Sequence, residues 1–240
     1  MKTLGNFSKL VSVGVLSLVG FGTAATAQST SVFTGVELAE DSYTIYGGLV
    51  TALNRDINSS GALLRFSAVY GEYEYATTGV PGGIVDIDGT SFDLMLGYQW
   101  VGTKATTSVY LGAEYRDNSL SPADPLNSTS GDETGVKAQF EVFSTDGSMP
   151  GSSLIASYST AYDSYFVRGR LGFSAGSLHL GPEVTALGND EFDATKVGVF
   201  LGGIKLGNSA DLSLSLGYSD NSGSTNTDGI YGGIGVSFQF

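Results

Sequence analysis

The sequence predicts an all-β chain: a closed, antiparallel, up-and-down transmembrane β-barrel of 12 strands, following a cleaved N-terminal signal peptide. Three observations predict it. Apolar residues recur with a period of two through most of the chain, the N-terminus has the parts of a secretory signal, and the segments between strands divide by charge. Composition agrees. With 35 Gly, 5 Pro, no Cys and 15% charged residues among 240, the chain suits many short strands and excludes a disulfide scaffold or a thiolate metal site. Beyond the N-terminus no apolar run is long enough for a membrane helix, and no linker or fixed-period repeat divides the chain.

Residues 1–27 read as the signal peptide and 28–240 as the barrel. Lys2 and Lys9 supply a basic start, Leu10 to Phe21 a short apolar core, and Ala25-Thr26-Ala27 a small-residue cleavage site. Cleavage after Ala27 removes two of 11 basic residues and no acids. Nine bases then face 24 acids, a net charge of −15, which excludes nucleic acid as a partner.

Period-two patterning places strands, in order, near 31–39, 43–53, 62–75, 91–101, 106–117, 134–144, 152–162, 165–174, 177–187, 195–204, 209–219 and 230–240. Residues 91–101 set Phe92, Leu94, Leu96, Tyr98 and Trp100 against Asp93, Gly97 and Gln99. Residues 209–219 set Leu212, Leu214, Leu216 and Tyr218 against Ser213, Ser215 and Gly217. The pattern blurs in the first, third and tenth strands around glycines such as Gly71, where a bulge is expected. The last strand places Ile230, Ile234, Val236, Phe238 and Phe240 on one face, which suits a lipid-facing strand that pairs with the first to close the barrel.

Alternating the connections gives outer loops of about 3, 15, 16, 2, 7 and 10 residues and inner ones of about 8, 4, 7, 2 and 4, the asymmetry of an outer-membrane barrel. The outer loops hold Glu40, Asp41, Asp86, Asp88, Asp124, Asp132, Glu133, Asp163, Asp190, Glu191, Asp193, Asp220 and Asp228 without a base, whereas Arg55, Lys104 and Lys205 fall in inner turns. Tyr98, Trp100, Phe238 and Phe240 lie near inner ends, and Tyr43, Tyr115, Tyr162 and Tyr165 near outer ends, as interfacial girdles require. Outer-membrane lipid is therefore the expected surrounding.

Five phrases occur together and in order: LMLGYQW (94–100), YLGAEYRDNSLSPADPLN (110–127), GVKAQFE (135–141), STAYDSYFVRGRLGF (159–173) and GPEVTALGNDEFD (181–193). In these the chain resembles the cellulose biosynthesis protein BcsS family of Gram-negative bacteria, from about Thr34 onward. The resemblance implies an outer-membrane barrel tied to cellulose production or export, with cellulose or synthase components as partners. It carries over no catalytic signature, cofactor or binding residue.

Strand parity puts Glu37, Arg65, Asp93, Glu114, Arg116, Lys137, Glu141, Arg168, Arg170, His179 and Glu183 in the lumen. Of these, Arg65, Asp93, Glu114, Arg116, Arg168, Arg170 and Glu183 are the candidate site. Balanced charges in a narrow interior predict mutual ion pairing, because an unpaired buried charge costs several kcal/mol. The competing reading is a polar conduit for a sugar polymer, with Tyr46, Tyr110, Phe166 and Tyr231 as stacking surfaces. A two-residue turn at Ala175-Gly176 would set Ser174 opposite Ser177 and Arg168 opposite Glu183, with Arg170 on the diagonal.

Two further classes stay open. A barrel hydrolase could use Asp93 and Glu114, which the Thr103-Lys104 turn places opposite each other, as general acid and base. A small-solute porin is the other, although 12 strands is near the small end for an open channel. His179, near Ser177, lacks an oxyanion motif or orienting partner. No metal is expected: VDIDGTSFD (85–93) opens like a calcium loop but has Gly97 where the twelfth ligand belongs, and NDEFD (189–193) reads as a solvated acidic turn.

Overall fold

The computed structural model describes residues 28–40, 42–207, 209–222 and 228–240. The expected signal peptide, residues 1–27, and Asp41 lie outside the described residues. Thirteen strand segments follow: β1 Thr30–Ala39, β2 Ser42–Ala52, β3 Gly61–Ala76, β4 Ile84–Val101, β5 Ala105–Ser121, β6 Gly131–Ser144, β7 Ser153–Ser159, β8 Ser164–Arg170, β9 Phe173–Ala175, β10 Leu178–Asn189, β11 Phe192–Leu206, β12 Ala210–Ser222 and β13 Gly229–Gln239. Each pairs antiparallel with its neighbours, and β13 pairs with β1, Ser31 opposite Gln239, to close the ring. Segments β8 and β9 both pair with β10 and form one stave, so the ring has 12. The stave breaks where it meets Pro182 on β10. Leu171 donates its N–H to the Pro182 carbonyl, but proline has no N–H to return.

Faces are as the alternation predicts. On β4 the side chains of Phe92, Leu94, Leu96, Tyr98 and Trp100 are 41–62% exposed, whereas Asp93 and Gln99 are 2% and 4%. This is the inverse of a soluble protein and the signature of an apolar belt around a polar interior. Ile230, Ile234 and Phe240 are likewise exposed, and the Phe240 N–H bonds the Thr30 carbonyl at 3.0 Å, so the last strand both faces outward and seals to the first.

The outer loops differ from expectation. Only residues 77–83 and 122–130 separate β3 from β4 and β5 from β6, because those strands run well beyond the belt. β4 has 18 residues, against the roughly 9–11 that cross a bilayer. Within it polarity inverts without a change of parity. Above Phe92 the outward residues are Asp86 and Asp88, while inward Val85 and Ile87 are essentially fully buried. Glu72 stands opposite Asp88, Glu74 opposite Asp86 and Asp117 opposite Asp132. Like charges so placed are mutually unfavourable, and the backbone ladder together with the buried inner face holds this raised wall. The segment 85–93 is therefore strand rather than loop.

Two smaller corrections concern strand irregularities and ends. Pairing runs through Gly71 unbroken, Thr44 on one side and Gly89 on the other, so it is not a bulge. The irregularity lies in β11, the tenth of the expected strands and one whose pattern blurs around glycines, between Leu201 and Ile204, where Gly203 adopts φ +75°. The seventh strand stops at Ser159, and a single 3₁₀ turn, Ala161–Asp163, makes the outer connection.

Candidate functional site

The lumen holds the candidate residues in two groups. The first is built on β3 to β6. Asp93 and Glu114 are directly opposed, as the Thr103-Lys104 turn dictates. Arg65 Nη1 donates to Asp93 Oδ1 at 2.8 Å and Ser67 Oγ to Asp93 Oδ2 at 2.6 Å. Arg116 Nε donates to Glu114 Oε2 at 2.8 Å. Lys137 ties the two halves, its Nζ 2.8 Å from Asp93 Oδ2 and 2.6 Å from Glu114 Oε1. It can reach because Gly112, its partner on β5, places no side chain between β6 and β4. Three cations thus hold two carboxylates, with every carboxylate oxygen engaged.

The second group lies on β8 to β13 and corrects one expectation. The hairpin turn is Gly176-Ser177, with Gly176 at φ +69°, so Ala175 pairs with Leu178. The register moves by two residues, which keeps every side chain on its predicted face but changes its partner. Glu183 stands opposite Arg170, and Arg170 Nε is its ion-pair partner. Arg168 instead stands opposite Thr185, with its guanidinium over the Phe166 ring at 5.9 Å and its Nε buried without a hydrogen-bond partner. Tyr231 donates its hydroxyl to Glu183 Oε1 at 3.1 Å, and Arg170 Nη2 donates to Ser215 Oγ at 2.9 Å.

Three lumen residues escaped sequence reasoning. Lys196 pairs with Glu37 and lies over the Tyr231 ring at 5.6 Å. Phe33 and Phe200 sit under Arg65 and Arg170 at 5.4 and 5.0 Å. Lys196 and Phe200 share one parity of β11, a signal that Gly198, Gly202 and Gly203 obscure; Phe33 looks like a lipid-facing residue from type alone. His179 packs within the space left by Gly151, Gly202 and Gly203, each of which would clash with its ring if given a Cβ. Among the described residues it bonds no acid or hydroxyl, and no group of three or more His, Asp or Glu is poised to hold a metal.

Three features crowd the bore. At the inner end Leu63, Met95 and Tyr110 form an apolar cluster with Ile57 from the 53–60 connection, which Gln99 Nε2 tethers through the Ile57 and Ser59 carbonyls at 2.8 and 2.6 Å. In the middle, Tyr46 on β2 and Arg168 and Arg170 on β8 border one gap of about 10 Å³, roughly the room one water needs. β2 and β8 are six staves apart in a ring of 12, so opposite walls meet there. At the outer end the 122–130 connection folds inward, and Ser128 donates its N–H to Glu191 Oε1, in the β10–β11 turn, at 2.9 Å.

Comparison with known proteins fits this architecture. The family model for cellulose biosynthesis protein BcsS matches residues 31–240. The KdgM porin in complex with disordered oligogalacturonate is similar in fold, with TM-score 0.50 at 10% identity over 88% of this chain and 99% of that one. The translocator domain of autotransporter NalP from Neisseria meningitidis gives 0.46 at 11% identity over 93% and 91%. At such identities the likeness is one of fold. No curated protein matches the sequence. With nearly all of its barrel matched by that one family model, the chain belongs to the cellulose biosynthesis protein BcsS family.

Proposed function

We propose that the protein is a non-enzymatic outer-membrane accessory of bacterial cellulose biosynthesis or export, whose lumen is an ion-paired structural core closed at rest. Family membership supports the link to cellulose, and the apolar belt supports a place in outer-membrane lipid. The observation that carries the non-enzymatic reading is the state of the carboxylate pair. A general acid needs a transferable proton and a base needs a free lone pair aimed at substrate. Asp93 and Glu114 are instead saturated by Arg65, Arg116 and Lys137. Arg65, Asp93, Glu114, Arg116, Arg170 and Glu183 then maintain barrel shape, while Arg168 lines the throat. The constricted bore also disfavours a general small-solute porin. Cellulose or a synthase component is the partner consistent with this role.

Deletion of the chromosomal gene tests it. Secreted cellulose is expected to change in yield, fibre form or surface attachment, and an Asp93→Asn/Glu114→Gln variant is expected to restore it in proportion to the amount of folded barrel. Unchanged cellulose in all three respects would remove the accessory role. Loss of complementation by a fully folded variant would favour the hydrolase.

A further inference from the structure

The outer mouth holds a cavity that the ion-paired lumen does not use. It has a volume of about 230 Å³ and lies between the outer ends of β3 and β11 and the inward-folded 122–130 connection. β3 and β11 are five staves apart, so the cavity sits across the bore rather than in its wall. One side is aromatic: the Tyr73 and Phe192 rings meet at 5.3 Å with an interplanar angle of 31°, and Tyr75 continues the surface. The other side is a set of oriented polar groups. Tyr75 donates its hydroxyl to Asp124 Oδ2 at 2.9 Å, Asn127 Nδ2 donates to the Tyr75 oxygen at 3.1 Å, and Glu191 accepts from Ser128.

This lining selects a ligand class. Two carboxylates and an acidic rim repel anions. The backbone N–H of Leu126 holds the Asp124 carboxyl below its ordinary range, so that charge persists near neutrality. A bare cation could lie over a ring face, but it would find Asp124 and Glu191 already engaged by the chain's own donors. A neutral ring with hydroxyls on its edge and C–H groups on its face meets both sides at once, the face against the aromatic rings and the hydroxyls to the remaining acceptor lone pairs. Measured as the gap in mid-bore is, the volume is many times the room one water needs, which leaves space for one pyranose unit.

We infer that this vestibule is a saccharide subsite that receives a single neutral pyranose unit of a glucan chain at the outer mouth. The choice of glucan rests on the proposed cellulose role; the subsite itself rests on the cavity. Isothermal titration of the purified full barrel with cellotetraose, and separately with tetragalacturonate, tests it. Cellotetraose is expected to bind at roughly millimolar strength, to weaken about tenfold or more in Tyr73→Ala/Phe192→Ala, and to be undisturbed by the anionic sugar. Both substituted residues lie beyond the belt, and the variant's folded state is checked by heat-shifted gel mobility. Equal affinity in the folded double variant would place the sugar elsewhere in the barrel and overturn the subsite while leaving the cellulose role intact. No binding of cellotetraose to the wild type would also overturn it, whereas failure of the cellulose role is read independently from the deletion strain.

Discussion

Asp93→Asn is expected to destabilise the barrel by about 3–5 kcal/mol, the cost of leaving buried charges uncompensated. The size follows from the count of charges. The β3–β6 group holds three cations against two carboxylates, with Asp93 and Glu114 side chains 2% and 0% exposed. Loss of Asp93 removes the only ion-pair partner of Arg65 among the described residues and leaves Lys137 and Arg116 to share Glu114. Lys137→Met is milder, because Arg65 still holds Asp93 and Arg116 still holds Glu114, each at 2.8 Å. The double variant Asp93→Asn/Lys137→Met is then expected to lose less than the sum of the two single losses, by roughly 0.5–3 kcal/mol of coupling. Urea unfolding in lipid vesicles, followed through the single tryptophan, Trp100, reads all three. Additive losses would mean that the three residues do not act as one network.

Leu96→Arg and Ile84→Arg lie on the same face of the same strand and are expected to differ sharply. Leu96 is 62% exposed within the belt, and an arginine there faces hydrocarbon, at a cost of about 2–4 kcal/mol. Ile84 is 53% exposed, but it sits 12 residues farther along β4 on the raised acidic wall. An arginine there meets Asp86 and water and should cost about 0–1 kcal/mol. The same vesicle unfolding distinguishes them, and equal penalties would mean that the membrane covers the whole of β4.

These pairs show why some of the molecule was legible in sequence and some was not. In residues 91–101 the two faces differ as strongly as lipid differs from an ion-paired interior, so period and direction were both readable. Residues 84–90 keep the same period, but Val85 and Ile87 turn inward and Asp86 and Asp88 outward. A reading that equates apolar with outward ends the strand where the membrane ends and assigns the rest to loop. Short turns carried register well where one placement was possible: the Thr103-Lys104 turn put Asp93 opposite Glu114. At Ala175-Gly176-Ser177 two placements offered a glycine at the turn, and the pairing of Phe173 with Leu180 was realised in place of Phe173 with Leu178. Glu183 consequently pairs with Arg170 rather than Arg168. Lys196 and Glu37 lie three staves apart around the ring and 159 residues apart in sequence. Only closure of the barrel brings them together, so no local pattern could have joined them.

Arg168 becomes informative through the same shift. Among the described residues it forms no ion pair, and from the wall opposite Tyr46 it borders the same 10 Å³ gap. Lipid-bilayer conductance of the purified wild-type barrel is the most direct measure of that closed, ion-paired lumen, with insertion verified through Trp100 fluorescence. The expected result is an inserted barrel with no stable single-channel steps at rest. Steady ohmic steps from the inserted wild type would contradict a closed structural core and make the lumen an open channel.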